Sequence, residues 1–187
     1  MEEVVHTGWL FDVYPLPGGI RLWIIDTSGE KHAAFAPFAP SFFMHVPRSD
    51  EQRVAALVSS FPCRVTLDWV VRRELYSNEE WQVLRVQVHD PLRLKEVVRR
   101  LEHHFPHFVF FNSDIPPQQI YLYDTGLFPL AYGEYVLAAD GTLRAVHLAD
   151  RRDAMEYSMP PLTFLKLTNR PDVLSPKYRK TLQLEIS

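Results

Sequence analysis

The sequence predicts an α+β fold in two parts: an antiparallel β meander that is barrel-like, and a split βαβ, ferredoxin-like unit similar to RNA-recognition domains. Alternating apolar and polar segments near the amino terminus are separated by Gly- and Pro-containing turns, which predicts the meander. Strand and helix patterns then follow in the order β-α-β-β-α-β over residues 41–111, which predicts the second part.

Composition limits the function classes. The chain has 187 residues, 47% of them hydrophobic, which is enough to form a core. A net charge of −3 gives no overall attraction to nucleic acid, so such a site would need a local basic patch. The single Cys63 excludes an internal disulfide framework and a Cys-rich zinc site. Without a signal pattern or a long apolar run, we expect a soluble cytoplasmic protein with no membrane partner.

The meander is predicted over residues 8–36. Its strands are Gly8–Tyr14, Ile20–Asp26 and Lys31–Phe35, each with alternating apolar positions. The connections contain Pro17-Gly18-Gly19 and Thr27-Ser28-Gly29-Glu30, where Pro restricts φ and Gly permits a positive φ.

The ferredoxin-like unit is predicted over residues 41–111. Ser49 and Gln52 have the spacing of a capping box before the first helix, and Asp90-Pro91 opens the second. One side of the second helix is apolar, with Leu92, Leu94, Val97, Val98 and Leu101. The predicted elements are Phe42–Val46, the helix Gln52–Ser60, Arg64–Arg73, Trp81–His89, the second helix and Phe108–Phe111.

A short connecting helix is predicted over residues 116–125. Asp114 can cap its amino terminus, and Pro116 and Pro117 suit a first turn, where a missing N–H has no cost. Gly126 suits the left-handed position that ends a helix.

The remaining residues predict two further pairs of strands. Ala139-Asp140-Gly141 joins Tyr132–Ala138 to Thr142–Leu148 as a hairpin. Strands at Leu162–Leu167 and Tyr178–Ile186 follow. The chain stops within an apolar alternation, so we expect it to be a piece of a longer protein.

Six cations are candidate contacts to a nucleic-acid backbone, since Lys and Arg neutralise phosphates without reading sequence. The second helix carries four of them, and a preceding strand adds two. The alternative is a solvated helix face, because Glu96 and Glu102 dilute the charge. The candidates are Arg72, Arg73, Arg93, Lys95, Arg99 and Arg100.

Other chemistry-bearing groups favour structural roles. His103 and His107 have the spacing of a metal pair, but Pro106 breaks the helix between them, so exposed helix-end histidines are favoured. Cys63 is expected to be a buried packing residue rather than a nucleophile. Three aromatics could stack bases as in RNA-recognition domains, although the Gly-aromatic signature is absent and a core role is favoured. These are Phe42, Phe43 and Trp81.

Several short segments, taken in order, resemble the N-terminal domain of family B DNA polymerases of bacterial type. They are Leu10–Tyr14, Arg21–Trp23, Pro40–Phe43, Leu84–Val86, His89–Pro91, Asp114–Pro116 and Tyr157–Leu162. The resemblance implies a polymerase N-terminal domain over residues 1–130, consisting of the meander, the ferredoxin-like unit and the connecting helix. Residues 131–187 would be the hairpin and first strands of a degenerate 3′–5′ exonuclease-like domain.

The resemblance also implies a function. The parent would be a DNA-directed DNA polymerase, a nucleotidyltransferase of replication or repair that uses Mg²⁺. This chain would lack a catalytic site and a cofactor, brace the remainder of the polymerase, and touch single-stranded template DNA weakly. Thr168 and Arg170 stand where proofreading members have metal-binding carboxylates, and neither can hold a divalent cation, so proofreading is expected to be lost.

Archaeal family members sense template uracil with this domain, and the resemblance places a template-base pocket here. Three departures weaken it: Ser41 and Pro117 replace aromatics, and Ile120 replaces an Arg. A less specific surface for single-stranded DNA tolerates these changes better, because stacking and cations need no exact pocket. The corresponding positions are Tyr14, Pro40, Ser41, Ile115, Pro116 and Pro117.

The alternative from another class is a stand-alone protein-interaction module without a nucleic-acid role. It would pair an exposed sheet edge at Tyr178–Ile186 with a partner strand.

Overall fold

A computed structural model describes residues 3–73, 78–151 and 158–162, and the backbone of residues 165–171 and 180–186. Within these ranges the α+β prediction is confirmed, with three short α-helices among mostly antiparallel strands. The strands are β1 Glu3–Leu16, β2 Gly19–Asp26, β3 Lys31–Pro37, β4 Ser41–His45, β5 Val65–Arg73, β6 Glu80–Val88, β7 Val109–Phe111, β8 Tyr132–Ala138, β9 Leu143–Leu148, β10 Leu165–Pro171 and β11 Lys180–Ile186. The helices are α1 Glu51–Val58, α2 Leu94–His104 and α3 Pro117–Thr125.

The meander forms part of a five-stranded sheet with the order β3-β2-β1-β8-β9. The first strand begins at Glu3 rather than Gly8, because its early residues pair with β8. The two edges of the sheet approach each other at one point, an isolated bridge between Phe35 of β3 and Thr142 just before β9, where the Phe35 amide donates to the Gly141 carbonyl at 2.9 Å. Among the described strands the sheet remains open rather than closing into a barrel.

One face of this sheet holds a core made by alternate residues of adjacent strands. Leu10, Ile24, Ala34 and Tyr135 are almost completely buried there. Tyr135 keeps its hydroxyl in this core by donating a hydrogen bond to the Ala131 carbonyl at 2.7 Å, and burial raises its pKa.

Replacing Tyr135 by Phe is expected to lower the free energy of unfolding by about 1 kcal/mol, since the Ala131 carbonyl loses a buried donor. The effect is modest because the Leu10 amide still donates to that carbonyl at 3.0 Å. Urea denaturation checks this. Tyr14→Phe is the control, and equal losses in the two variants would contradict a specific role for the Tyr135 hydroxyl.

The turn between β2 and β3 is organised by Asp26. Its Oδ1 accepts hydrogen bonds from the Ser28 amide at 2.9 Å, the Ser28 hydroxyl at 2.6 Å and the Glu30 amide at 2.9 Å. The Ser28 hydroxyl and the His32 ring nitrogen together hold the pKa of Asp26 well below its usual range.

The second sheet has four strands in the order β5-β6-β4-β7, and α1 and α2 pack on one of its faces. This is the predicted β-α-β-β-α-β unit, with its first and third strands in the centre. The core between sheet and helices contains Phe42, Met44, Leu84, Val54 and Leu101, all fully buried.

Of the two predicted caps in this unit, the one at Asp90 is confirmed and the one at Ser49 is wrong. Ser49 does not cap α1: residues 48–50 form a 3₁₀ turn, and Asp50 takes the cap position with its carboxylate on Arg53 instead. The Asp90 carboxylate does accept the Leu92 amide, at 3.1 Å, as the Asp-Pro pattern predicts. Leu92 was expected on the apolar side of the second helix. It lies instead in a 3₁₀ turn, Pro91–Arg93, that precedes α2, and it is 52% exposed.

Helix α3 connects the two cores. Asp114 does not cap it, because Pro116 itself is the extended cap residue and Pro117 the first helical one. Gly126 takes the left-handed conformation predicted for it, with φ of 73°. Ile120 packs in the core of the four-stranded sheet, whereas the next residue, Tyr121, packs in the other core.

The hairpin of β8 and β9 joins the meander's sheet through β1, so residues 132–148 share a core with the amino-terminal strands. The proposed division near residue 130 stays a prediction. Trp9 Nε1 on β1 donates to the Ser158 carbonyl at 2.8 Å, which ties the Pro160-Pro161 segment to the same sheet. β10 begins at Leu165, later than the predicted Leu162, and pairs with β11. No helix within the described ranges is both long and apolar enough to span a membrane.

Candidate nucleic-acid interface

The face of the four-stranded sheet opposite the helices carries an aromatic and cationic surface. Successive residues of a strand point to opposite faces, so Phe43 lies on this open face while Phe42 lies in the core. The register places Phe43 opposite Arg85 on β6 and Phe111 on β7. Four neighbouring strands therefore present their alternate side chains together.

Aromatic rings of this face meet around Trp81. The rings of Trp81 and Phe111 meet edge to face with centroids 6.0 Å apart, and the His45 ring lies 5.0 Å from Trp81. The Arg72 guanidinium lies over the Phe43 ring, 4.9 Å from its centroid. We call Phe43, Trp81, Phe111 and Arg72 the open-face cluster.

The open-face cluster lines a cleft of about 300 Å³. Val83, which is buried, and Asn112 also line it, and Arg73 adds a second cation next to Arg72. A flat aromatic surface with cations at its side can stack bases and neutralise the phosphates between them. This is the arrangement that RNA-recognition folds use on their central strands.

A second cavity of about 350 Å³ lies next to the cleft, between the open face and α3. It shares Phe43 and Arg72 with the cleft, and it brings together two of the predicted pocket residues, Ser41 and Ile115. Ser41 and Ile115 therefore line a cavity that adjoins the open face, and their role in a template-base pocket stays a prediction.

The other four residues predicted for that pocket do not line this cavity. Pro40 is buried, Pro116 is exposed and Pro117 is half-buried. The Tyr14 hydroxyl accepts a hydrogen bond from Trp23 Nε1 at 3.3 Å, within the meander's sheet. Their assignment as a joint pocket stays a prediction.

Charges on the open face are partly balanced. Arg85 Nε donates to the Asp68 carboxylate at 2.9 Å, which holds the guanidinium against the sheet. In the second cavity, burial raises the pKa of Asp124, and the nearby Arg72 opposes that shift. Arg72 therefore lies between the Phe43 ring and the Asp124 carboxylate.

The six predicted cations do not form one patch. Arg72 lies on the open face, whereas α2 packs on the opposite face through Val97 and Leu101. Arg93, in the 3₁₀ turn that precedes α2, donates to Glu96 at 2.7 Å, and Arg100 on α2 lies over the Phe61 ring at 4.5 Å. Lys95 and Arg99 are exposed on the same helix. Arg73 lines the cleft and forms an ion pair with Glu80 at 3.4 Å.

The sequence matches no protein-family model and no curated protein. The fold, however, is similar to that of the family B DNA polymerase from the hyperthermophilic archaeon Pyrobaculum calidifontis. The TM-score is 0.61 with 16% sequence identity, and the match covers 97% of this chain and 26% of the polymerase. The chain has the fold of part of a family B DNA polymerase. It spans about a quarter of that protein's length, and at this identity the likeness concerns the fold alone.

Sequence reasoning partly missed the open-face cluster of this polymerase-like fold. Phe43 and Trp81 were expected in the core with Phe42, and only Phe42 is there. Phe111 was not singled out at all. The available signal was the alternation itself, since adjacent residues 42 and 43 of one strand cannot both face the helices.

The expected exonuclease positions lie in β10. Thr168 is paired with Gln183 of β11, and Arg170 is paired with Thr181. The loss of proofreading stays a prediction.

Proposed function

We propose that this chain is the non-catalytic N-terminal region of a family B DNA polymerase and that its open face contacts single-stranded template DNA. DNA synthesis, with its Mg²⁺, would belong to the remainder of the polymerase, which this region braces. The fold shared with the archaeal polymerase supports the family, and the sequence resemblance supports the amino-terminal position. A bacterial origin and a role in replication or repair are part of the same proposal.

The single observation that carries the DNA contact is the open-face cluster. Its aromatic rings lie on three adjacent strands, and Arg72 lies beside them on the fourth. Stacking of a base on an aromatic ring contributes about 1–3 kcal/mol and depends little on the base. The cluster therefore suits an unpaired strand of any sequence better than a duplex, whose bases stack on each other.

The test is binding of a labelled oligothymidylate to the 187-residue chain at low salt, followed by fluorescence anisotropy. Phe43→Ala and Trp81→Ala are each expected to weaken binding about 5- to 150-fold, which corresponds to the stacking energy of one base. Phe11→Ala is the matched control, because Phe11 is 48% exposed on the other sheet, and it should bind like the unchanged protein.

A second comparison tests which cations contact the phosphates of the bound strand. Arg72→Ala should weaken binding and reduce the slope of log K against log salt by about 0.7, as expected when one phosphate contact to a single strand is lost. Arg99→Ala changes an exposed cation of α2 on the other side of the sheet and should leave the slope unchanged. If Arg99→Ala reduced the slope and Arg72→Ala did not, the DNA would bind at α2 and not at the open face. No binding at low salt would contradict the DNA contact.

A further inference from the structure

Three potential metal ligands lie together on the five-stranded sheet, which is not the sheet that carries the open-face cluster. β1 places His6 on the same side as the core residue Leu10, and β2 places Asp26 on the same side as Ile24. Ile24 is paired with His32 on β3, so His32 also projects from this side. Each of the three side chains is half-buried at the end of the core.

Gly8 lies on β1 beside these three groups. It is paired with Asp26 across the β1–β2 ladder and lies two residues from His6 on the same face. An added Cβ at Gly8 would meet the backbone of Ile25 and Asp26, so β1 and β2 approach each other closely beside the three groups.

The distances between the three side chains suit binding of one metal ion. Asp26 Oδ2 lies 2.7 Å from His32 Nε2, and the His6 and His32 rings are stacked with centroids 3.8 Å apart. One ligand atom from each of His6, Asp26 and His32 lies within 4.8 Å of the other two. In a tetrahedral site with bonds of about 2.0–2.1 Å, ligand atoms are separated by roughly 3.4 Å. That separation is longer than the 2.7 Å between Asp26 Oδ2 and His32 Nε2 and shorter than the 4.8 Å within which all three ligand atoms lie.

The carboxylate is oriented in advance. Its Oδ1 is occupied by the three hydrogen bonds from Ser28 and Glu30, which leaves Oδ2 directed at His32. Such outer hydrogen bonds to a ligating group fix its orientation and raise metal affinity. The turn of β2 and β3 thereby provides the outer support that a metal ligand needs.

We propose that His6, Asp26 and His32 bind a divalent transition metal, with Zn²⁺ as its representative, and that water completes a four-coordinate site. Two imidazoles with one carboxylate favour Zn²⁺ over Mg²⁺, which prefers oxygen ligands alone. Binding would replace the His32–Asp26 hydrogen bond and tilt the His6 ring out of the stack. The metal would join β1, β2 and β3, so it would bind the folded sheet and stabilise it.

The first experiment titrates the 187-residue chain with Zn²⁺, with Mg²⁺ in parallel, and measures heat of binding and Tm. One equivalent of Zn²⁺ should bind and raise the Tm, while Mg²⁺ at the same concentration should do neither. Co²⁺ should produce the visible absorption bands of a tetrahedral nitrogen–oxygen site. Absence of Zn²⁺ binding, or an equal response to Mg²⁺, would overturn the proposal.

The second experiment locates the site. His6→Gln and His32→Gln should each weaken Zn²⁺ binding at least about 10-fold and abolish the Co²⁺ bands. His103→Gln is the matched control on α2 and should bind Zn²⁺ normally. If His32→Gln unfolds, His6→Gln decides, because the His6 ring stacks on His32 from β1 and lies outside the β2–β3 turn. Unchanged binding in His6→Gln, or its loss in His103→Gln, would refute the site.

Discussion

Replacing Phe42 by alanine is expected to lower the free energy of unfolding by about 3–5 kcal/mol. Phe42 is fully buried on β4, a central strand of its sheet, and its ring stacks near Phe110 with centroids 6.4 Å apart. Both neighbouring strands and both helices surround it, so the sheet cannot collapse into the space that the ring leaves. Urea denaturation followed by circular dichroism measures the loss.

Phe43→Ala is the matched control for this prediction, because it removes the same ring from the adjacent residue on the opposite face. Phe43 is only half-buried and lines the cleft, so the variant should lose about 1 kcal/mol of stability while losing affinity for single-stranded DNA. The pair therefore separates folding from binding within one dipeptide. Similar destabilisation by both substitutions would contradict the assignment of the two faces.

Replacing Gly8 by alanine is expected to destabilise the chain by about 3 kcal/mol. An added Cβ would overlap the Ile25 carbonyl oxygen and lie 2.7 Å from the Asp26 Cα. These are backbone atoms of β2, and β8 closes the other side at Gly133, so neither neighbour can rotate away. Thermal and urea unfolding of the variant measure the effect.

Gly18→Ala is the control for Gly8→Ala. Gly18 has a φ of 73° in the β1–β2 turn, and an added Cβ would lie more than 4 Å from every described residue other than its two chain neighbours. Its cost is therefore limited to the strain of a left-handed alanine, about 1–2 kcal/mol. A loss at Gly8 no larger than that at Gly18 would show that β1 and β2 can separate locally and would contradict the close approach.

Local signals were reliable where a side chain acts on its own neighbourhood. The Asp90 carboxylate accepts the amide two residues on, and Gly126 adopts the left-handed conformation, since both effects need only adjacent backbone. The same local logic failed at Ser49 and Asp114. In each case the chain enters its helix one to two residues later, through a 3₁₀ turn or through Pro116.

The candidate site was less predictable than the fold. Arg72 was chosen for its charge alone, and the sequence could not show that it lies over Phe43 rather than beside the cations of α2. His6, Asp26 and His32 are separated along the chain and follow no metal-binding spacing. They meet only because three strands pair in one register.

The sequence by itself determined the order of strands and helices, the turns between them and the resemblance to one polymerase family, because these depend on alternation and on residues close in the chain. Only the tertiary structure decided which face each aromatic and cation occupies, that the β8–β9 hairpin joins the first sheet, and which histidines meet. The physical reason is that strand register is set by contacts between distant segments, and a shift of one residue moves every side chain to the other face.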